Sequence, residues 1–189
     1  MSNDLVNGLR FVNRVAVVTG GTTGIGRATV ERLHAEGASV VFCGRREDVG
    51  DDLAATLDAD RAVFVAADVT VRDDLERMYA TCQQRFGRLD VVVNNAGNVV
   101  VGPTLKLTPD QWRRTIALNL DAVFDSCQLA LPMLLATITS GKATGAAIVN
   151  VASLDAVRGD RGFAAYNAAK AGVANFTRSL ALEFGPAGI

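Results

Sequence analysis

Three side chains of complementary chemistry stand close together between positions 153 and 170: Ser153, Tyr166 and Lys170. A four-residue interval puts Tyr166 and Lys170 on one face of a helix, where an ammonium can stabilise a phenolate. A free phenol ionises near pH 10, and moving that to about 7 takes roughly 4 kcal/mol of preferential phenolate stabilisation. A phenol tuned in this way exchanges protons with a substrate oxygen. Tyr-x-x-x-Lys also occurs as a plain surface pair of a helix, so its meaning depends on its surroundings. A serine-hydrolase role for Ser153 lacks support, because there is no Gly-x-Ser-x-Gly elbow and the single histidine is His34.

A second group lies near the start of the chain, where Thr19-Gly20-Gly21-Thr22-Thr23-Gly24-Ile25-Gly26 follows an apolar run and opens a helical segment. Glycines allow a tight turn and close backbone approach to a pyrophosphate, whose charge then meets free amides at the positive end of the helix. Gly20, Thr22, Thr23, Gly24, Ile25 and Gly26 are therefore candidate dinucleotide-binding residues. The spacing Gly-x-x-x-Gly-x-Gly lacks the Gly-Lys-Ser/Thr ending of a nucleoside-triphosphatase loop. A turn serving only to pack strand on helix is the alternative. After the next apolar run come Gly44-Arg45-Arg46, with no acid to take ribose hydroxyls; a guanidinium suits a 2′-phosphate, so NADP(H) is favoured over NAD(H). The arginines fit equally a solvated turn ahead of Glu47 and Asp48. With a nicotinamide bound, its positive ring would join Lys170 beside the phenol. The reaction class is then hydride transfer between nicotinamide C4 and a carbonyl carbon, with Tyr166 giving or taking the proton.

These residues need a frame. Apolar runs at 15–19, 39–43, 62–66, 90–94 and 146–151 alternate with helix-period segments, the pattern of a doubly wound parallel α/β sheet, Rossmann-like and single-domain. Each run is apolar almost throughout, as expected for strands covered on both faces. Thr70 with Asp73, and Thr108-Pro109-Asp110-Gln111, predict helix starts. Gly37, Gly87 and Gly185 predict left-handed helix stops, and Pro132 predicts a kink or an early end to the helix over 110–138. Residues 1–13 read as a ragged lead-in and 140–145 as a loop.

Bulk properties narrow the partners. The 189 residues are 49% hydrophobic and 21% charged, with a net charge of -1, so nothing favours nucleic acid. Cys43, Cys82 and Cys127 form no metal or disulfide pattern, which fits a reduced, cytoplasmic chain without a metal. There is no signal core, and the most apolar stretch, 129–135, is far shorter than the roughly 20 residues that span a bilayer. No membrane association is expected.

Together the glycine turn, Asn94-Asn95-Ala96-Gly97, Asn119, Ser153 and Tyr166 to Lys170 stand in the order and spacing of the short-chain dehydrogenase/reductase family. The chain resembles the compact type, which interconverts ketones and secondary alcohols with NAD(P)(H). The resemblance implies that Tyr166 is the catalytic acid/base, and that Lys170 lowers its pKa and hydrogen-bonds the nicotinamide ribose. It implies that Ser153 holds the substrate oxygen and that Asn119 anchors a water chain from the lysine to solvent. Asp68, with Val69, is similar to the adenine-contacting acid; a strand-end turn or helix cap fits Asp68 as well. Asn95, Ala96 and Gly97 resemble the segment lining the adenosine side, and turn chemistry is their alternative. Leu154, Asn98, Val99 and Phe163 are expected to face a largely apolar pocket for a small alcohol or ketone. A homodimer or homotetramer through helices in 110–138 and 164–184 is implied too. Family members continue with another strand, a Pro-Gly turn, a substrate-covering segment and a last strand, so 1–189 is expected to be C-terminally incomplete, lacking the last strands. The alternative function is then a truncated, non-catalytic nucleotide-binding module.

Overall fold

Runs rich in valine and alanine form β1 (Val15–Thr19), β2 (Ser39–Gly44), β3 (Ala62–Ala66), β4 (Val91–Asn94) and β5 (Ala147–Asn150). The structure is a computed structural model and describes residues 9–189. Between the strands run α1 (Gly24–Ala35), α2 (Glu47–Ala55), α3 (Arg72–Phe86), α4 (Pro109–Ile116) and α5 (Ala122–Thr139), and α6 (Ala164–Phe184) follows β5. All neighbouring strands are parallel, in the order β3-β2-β1-β4-β5.

Side chains alternate along each strand, so the sheet feeds two cores. Val17 and Val41 cluster with Leu75 and Met78 of α3 and with Ala130 and Leu134 of α5. Val18, Val40 and Phe42 cluster with Val30 and Leu33 of α1 and Leu53 of α2. Each such buried valine, leucine, methionine or phenylalanine stabilises the fold by about 1.5–3 kcal/mol relative to exposure. Coverage is incomplete at the β5 edge, where Val149 is 50% exposed. The expectation of strands buried on both faces therefore fails at β5, which has one helix-covered side through Ile148.

Several local expectations need correction. The capping box at Thr108 is present in full. Thr70, however, caps nothing: its amide and hydroxyl both donate to Asp68 Oδ1, and α3 starts from Val71. Gly37 and Gly87 are left-handed stops, but Gly185 has φ -53° and continues into a 3-10 turn that ends at left-handed Gly188. Pro132 does not end its helix, which runs on to Thr139. The irregularity comes earlier, as a π-helical turn at Ala117–Asp121 between α4 and α5. The whole Pro109–Thr139 stretch is long and apolar enough to cross a membrane, more than the 129–135 run suggests. Its Cys127, Ala130 and Leu134 are nonetheless buried inside the protein.

Residues 9–13 are docked rather than ragged, while 1–8 of the predicted lead-in lie outside the described residues. The Phe11 amide donates to Glu36 O at 2.9 Å. Glu36 takes hydrogen bonds from Arg10 and Arg32, which hold its carboxyl down at about 2. At the foot of β1, burial alone would raise the Asp90 carboxyl, but hydrogen bonds from Arg88, Arg14 and the Val15 amide hold it below its ordinary value.

One buried polar chain ties the sheet to its helices. Tyr79 of α3 lies 2.7 Å from Ser126 Oγ of α5, and Ser126 donates to Asn94 Oδ1 of β4 at 2.6 Å. Asn94 Nδ2 donates to Asn150 Oδ1 of β5 at 2.8 Å, and Asn150 Nδ2 to Thr177 Oγ1 of α6 at 2.9 Å. Thr177 closes the chain on Val173 O. Because each hydroxyl has one proton, the direction is fixed throughout, and Tyr79 must be the donor at its end. The chain locks the tips of β4 and β5, where the cleft begins, to α6.

Candidate active site

Strand order reverses between β1 and β4, and outside their carboxyl ends opens a cleft of about 740 Å3. Such a switch point is where open α/β sheets leave room for a ligand. The glycine turn forms its floor. Gly20 has φ +63°, and a Cβ there would stand 2.8 Å from Ala96 Cα; at Gly26 a Cβ would stand 2.1 Å from Gly20 O. Glycine is thus demanded at both positions. Asn95 Nδ2 braces the turn by donating to Thr19 O and Gly20 O, each at 3.1 Å, while Thr19 Oγ1 accepts from the Asn95 and Ala96 amides.

The turn ends at Thr23, which caps α1 with no side-chain hydrogen bond, and the first turn of α1 contains no acid. Its first amides are left for an external acceptor, the condition for anion binding at a helix start. Gly20, Thr22, Thr23 and Ile25 line the cleft, whereas Gly24 and Gly26 shape the turn behind it. At the β2 and β3 tips Arg45, Arg46, Asp68 and Val69 form the next wall. Asp68 is shared between roles: Oδ1 holds the Thr70 turn, and Oδ2 faces Arg45 Nη1 at 4.0 Å.

The opposite end holds Ser153, Tyr166 and Lys170, with Asn95, Ala96 and Gly97 between the two halves. Lys170 is buried; its Nζ donates to Val151 O at 2.7 Å and lies 5.7 Å from the centre of the Tyr166 ring. Burial pulls its ammonium below the usual lysine range. Asn119 sits in the π-helical turn, wholly buried, with Nδ2 donating to Asn98 O and Thr115 O. Its Oδ1 is buried without a partner among the described residues. A Cβ on Gly97 would stand 2.8 Å from that oxygen and 3.7 Å from Lys170 Nζ, so the glycine keeps open a gap that both groups face. Asn119 does not line the cleft itself.

The chain matches the family model described as short chain dehydrogenase over residues 14–189. The chain belongs to this family. It is 40% identical over 181 residues to the meso-2,3-butanediol dehydrogenase of Serratia marcescens, covering 96% of this chain and 69% of that protein. It is 35% identical to the NADP-dependent (R)-specific alcohol dehydrogenase of Lentilactobacillus kefiri, covering 92% of this chain and 68% of that one. A solved structure of a short-chain dehydrogenase/reductase, described as glucose/ribitol dehydrogenase, from Brucella melitensis superposes with TM-score 0.84 at 37% identity, over 92% of this chain and 71% of its own. This short-chain dehydrogenase chain thus spans about two-thirds of the length of relatives it matches.

Of the expected pocket residues, Asn98, Val99 and Phe163 line the cleft, but Leu154 is 65% exposed and stands outside it. Thr19, which opens the glycine turn, ends β1 behind the cleft lining, and its hydroxyl anchors the 95–96 segment. Asp155 is a residue of the short-chain dehydrogenase cleft that was not expected from sequence. Asp155 lines the reacting end, where Ser153 Oγ donates to Asp155 Oδ2 at 3.2 Å and accepts from the Asp155 amide at 3.1 Å. A carboxylate two residues after the serine, in an otherwise apolar stretch, was the available signal.

Proposed function

We propose that this protein is an NAD(P)-dependent oxidoreductase interconverting a secondary alcohol and a ketone, with NADP(H) favoured and Tyr166 as proton donor and acceptor. The observation that carries the reading is the meeting of Tyr166, Lys170 and Ser153 at one end of a cleft whose other end is an uncapped helix start. The residues present fit a dinucleotide: the free amides of α1 and the hydroxyls of Thr22 and Thr23 suit a pyrophosphate. Arg45 and Arg46 suit a 2′-phosphate, and Asn95 to Gly97 the adenosine side. When bound, the nicotinamide supplies the hydride-transfer chemistry.

The chain's own side chains handle oxygen and proton. In ketone reduction the Tyr166 hydroxyl gives its proton to the carbonyl oxygen, and in alcohol oxidation it takes the proton back. Ser153 holds that oxygen by a hydrogen bond. The Lys170 ammonium, fixed by Val151 O, stabilises negative charge on the phenol oxygen and would hold the nicotinamide ribose. Asn119 Oδ1, facing the same gap as Lys170 Nζ, anchors a water that links the lysine towards solvent. Val99 and Phe163 favour a partly apolar substrate. Buried free cysteines support a cytoplasmic setting, and exposed apolar side chains on α5 and α6 support assembly as a homodimer or homotetramer.

Tyr166→Phe tests the proposal. Turnover of NADPH with a ketone should fall by about 100- to 10,000-fold, while NADPH affinity from fluorescence titration stays within about threefold. Comparable activity in the variant would refute the role of the phenol. A wild-type chain that binds NADPH but oxidises it with no carbonyl compound would instead support the nucleotide-binding module.

A further inference from the structure

We infer that Asp155 selects substrates carrying a hydrogen-bond donor on the carbon next to the reacting one, so that the substrate class is vicinal diols and α-hydroxy ketones. The inference rests on the proposed alcohol/ketone chemistry at Ser153 and Tyr166 and adds a residue that this chemistry does not require. Around the reacting end the walls are mostly apolar, with Val99, Leu118 and Phe163 among them. Asp155 brings an acceptor-only carboxylate into that apolar surface, beside the hydroxyl that holds the reacting oxygen. A carboxylate here repels acids and phosphorylated substrates and attracts a hydroxyl. The 3.2 Å between Ser153 Oγ and Asp155 Oδ2 lets two oxygens on adjacent carbons reach one residue each.

The hydrogen bonds make the selection more than a matter of affinity. Ser153 caps the 3-10 turn Leu154–Ala156, and its Oγ accepts from the Asp155 amide. Its only proton is directed to Asp155 Oδ2, so it is not free for a substrate oxygen. At 3.2 Å that bond is long for a hydroxyl and a carboxylate, so a substrate hydroxyl that donates to Asp155 at an ordinary distance weakens the carboxylate's hold on the Ser153 proton. A second hydroxyl on the substrate donates to Asp155, releasing the Ser153 proton for the reacting oxygen. A substrate without the donor leaves Ser153 turned away. Discrimination should therefore be visible in kcat as well as in KM.

The experiment compares 3-hydroxybutan-2-one with butan-2-one, reduced with NADPH by the wild-type chain, Asp155→Ala and Asp155→Asn. Any intrinsic difference in reactivity between the ketones is common to all three proteins and cancels in the ratio of their kcat/KM ratios. The wild-type preference for the hydroxy ketone should exceed that of Asp155→Ala by about 10- to 100-fold, the range of one hydrogen bond to a charged group. Asp155→Asn, which keeps an acceptor but loses the charge, should fall between them. In parallel, calorimetry with NADP+-loaded protein should show butane-2,3-diol binding at least about tenfold more tightly than butan-2-ol, a gap lost in Asp155→Ala. Equal ratios in wild type and Asp155→Ala would overturn the role of Asp155 while leaving the oxidoreductase reading intact. If neither ketone is reduced, that reading fails, and the calorimetric comparison still decides Asp155: equal affinity for diol and alcohol overturns it.

Discussion

The proposed preference for NADP(H) rests on a single side chain, Arg45. Its guanidinium is 73% exposed and stands 4.0 Å from Asp68 Oδ2, a loose surface pair worth little in water. A 2′-phosphate offers more charge and a bidentate match, so Arg45 is expected to leave Asp68 for it. Arg45→Ala should weaken NADPH about tenfold or more, the scale of one charge-assisted bond, and change NADH affinity by less than about threefold. Fluorescence titrations of both nucleotides at one fixed ionic strength measure this, since salt screens an exposed contact. Equal losses for the two would remove the NADP(H) preference. Residues of this kind were legible in the sequence because type and local spacing define them: Tyr166 and Lys170 share a helix, and the glycines share one turn. Asp155 was not, because an aspartate acquires its role only from the partner that the backbone delivers.

At the scale of elements, a boundary was legible where its signal was self-contained. Thr108 and Gln111 satisfy each other's backbone amides within four residues, and the helix starts there. Thr70 had a competing partner in Asp68, two residues earlier, and the cap was lost to it. The π-helical turn carrying Asn119 has no signature in composition; it falls where α4 runs on into α5. Least legible was the polar chain from Tyr79 to Thr177, whose members are up to 98 residues apart in sequence. Its energetics are asymmetric. Ser126→Ala removes both the acceptor of Tyr79 and the donor to Asn94 Oδ1, orphaning two buried groups. It should cost about 2–6 kcal/mol, at roughly 1–3 kcal/mol per unsatisfied group. Tyr79→Phe removes only the terminal donor, leaves Ser126 bonded to Asn94, and should cost about 1 kcal/mol. Urea denaturation of the two variants separates these values. A Ser126→Ala loss no larger than that of Tyr79→Phe would mean that the chain does not act as a unit.

For the whole molecule, the alternation of apolar runs with helical segments was enough to give a parallel sheet with helices on both sides, because burying apolar strand faces leaves few other arrangements. The alternation could not say which helix faces stay uncovered. On α5 and α6 the rings of Phe124 and Phe176 pack 6.0 Å apart at 58°, and Phe124 keeps 47% of its surface exposed. Trp112 on α4 is exposed too. Exposed aromatic side chains on adjacent helices suit a two-fold interface in which α5 and α6 of one copy meet those of another. In an isologous contact each substitution acts twice, so Phe124→Glu would bring two carboxylates into one apolar seam. Phe124 lies outside the cores that hold the sheet, so the variant should keep its helical circular dichroism as a monomer. Sedimentation velocity should show the wild type as a dimer or tetramer and Phe124→Glu as a monomer at the same concentration. A monomeric wild type would refute the assembly, and a variant that still dimerises would move the interface to another face. The effect should also reach the cleft, because α6 carries Tyr166 and Lys170 and the turn with Asn119 leads into α5. An interface across these two helices would brace both sides of the reacting end.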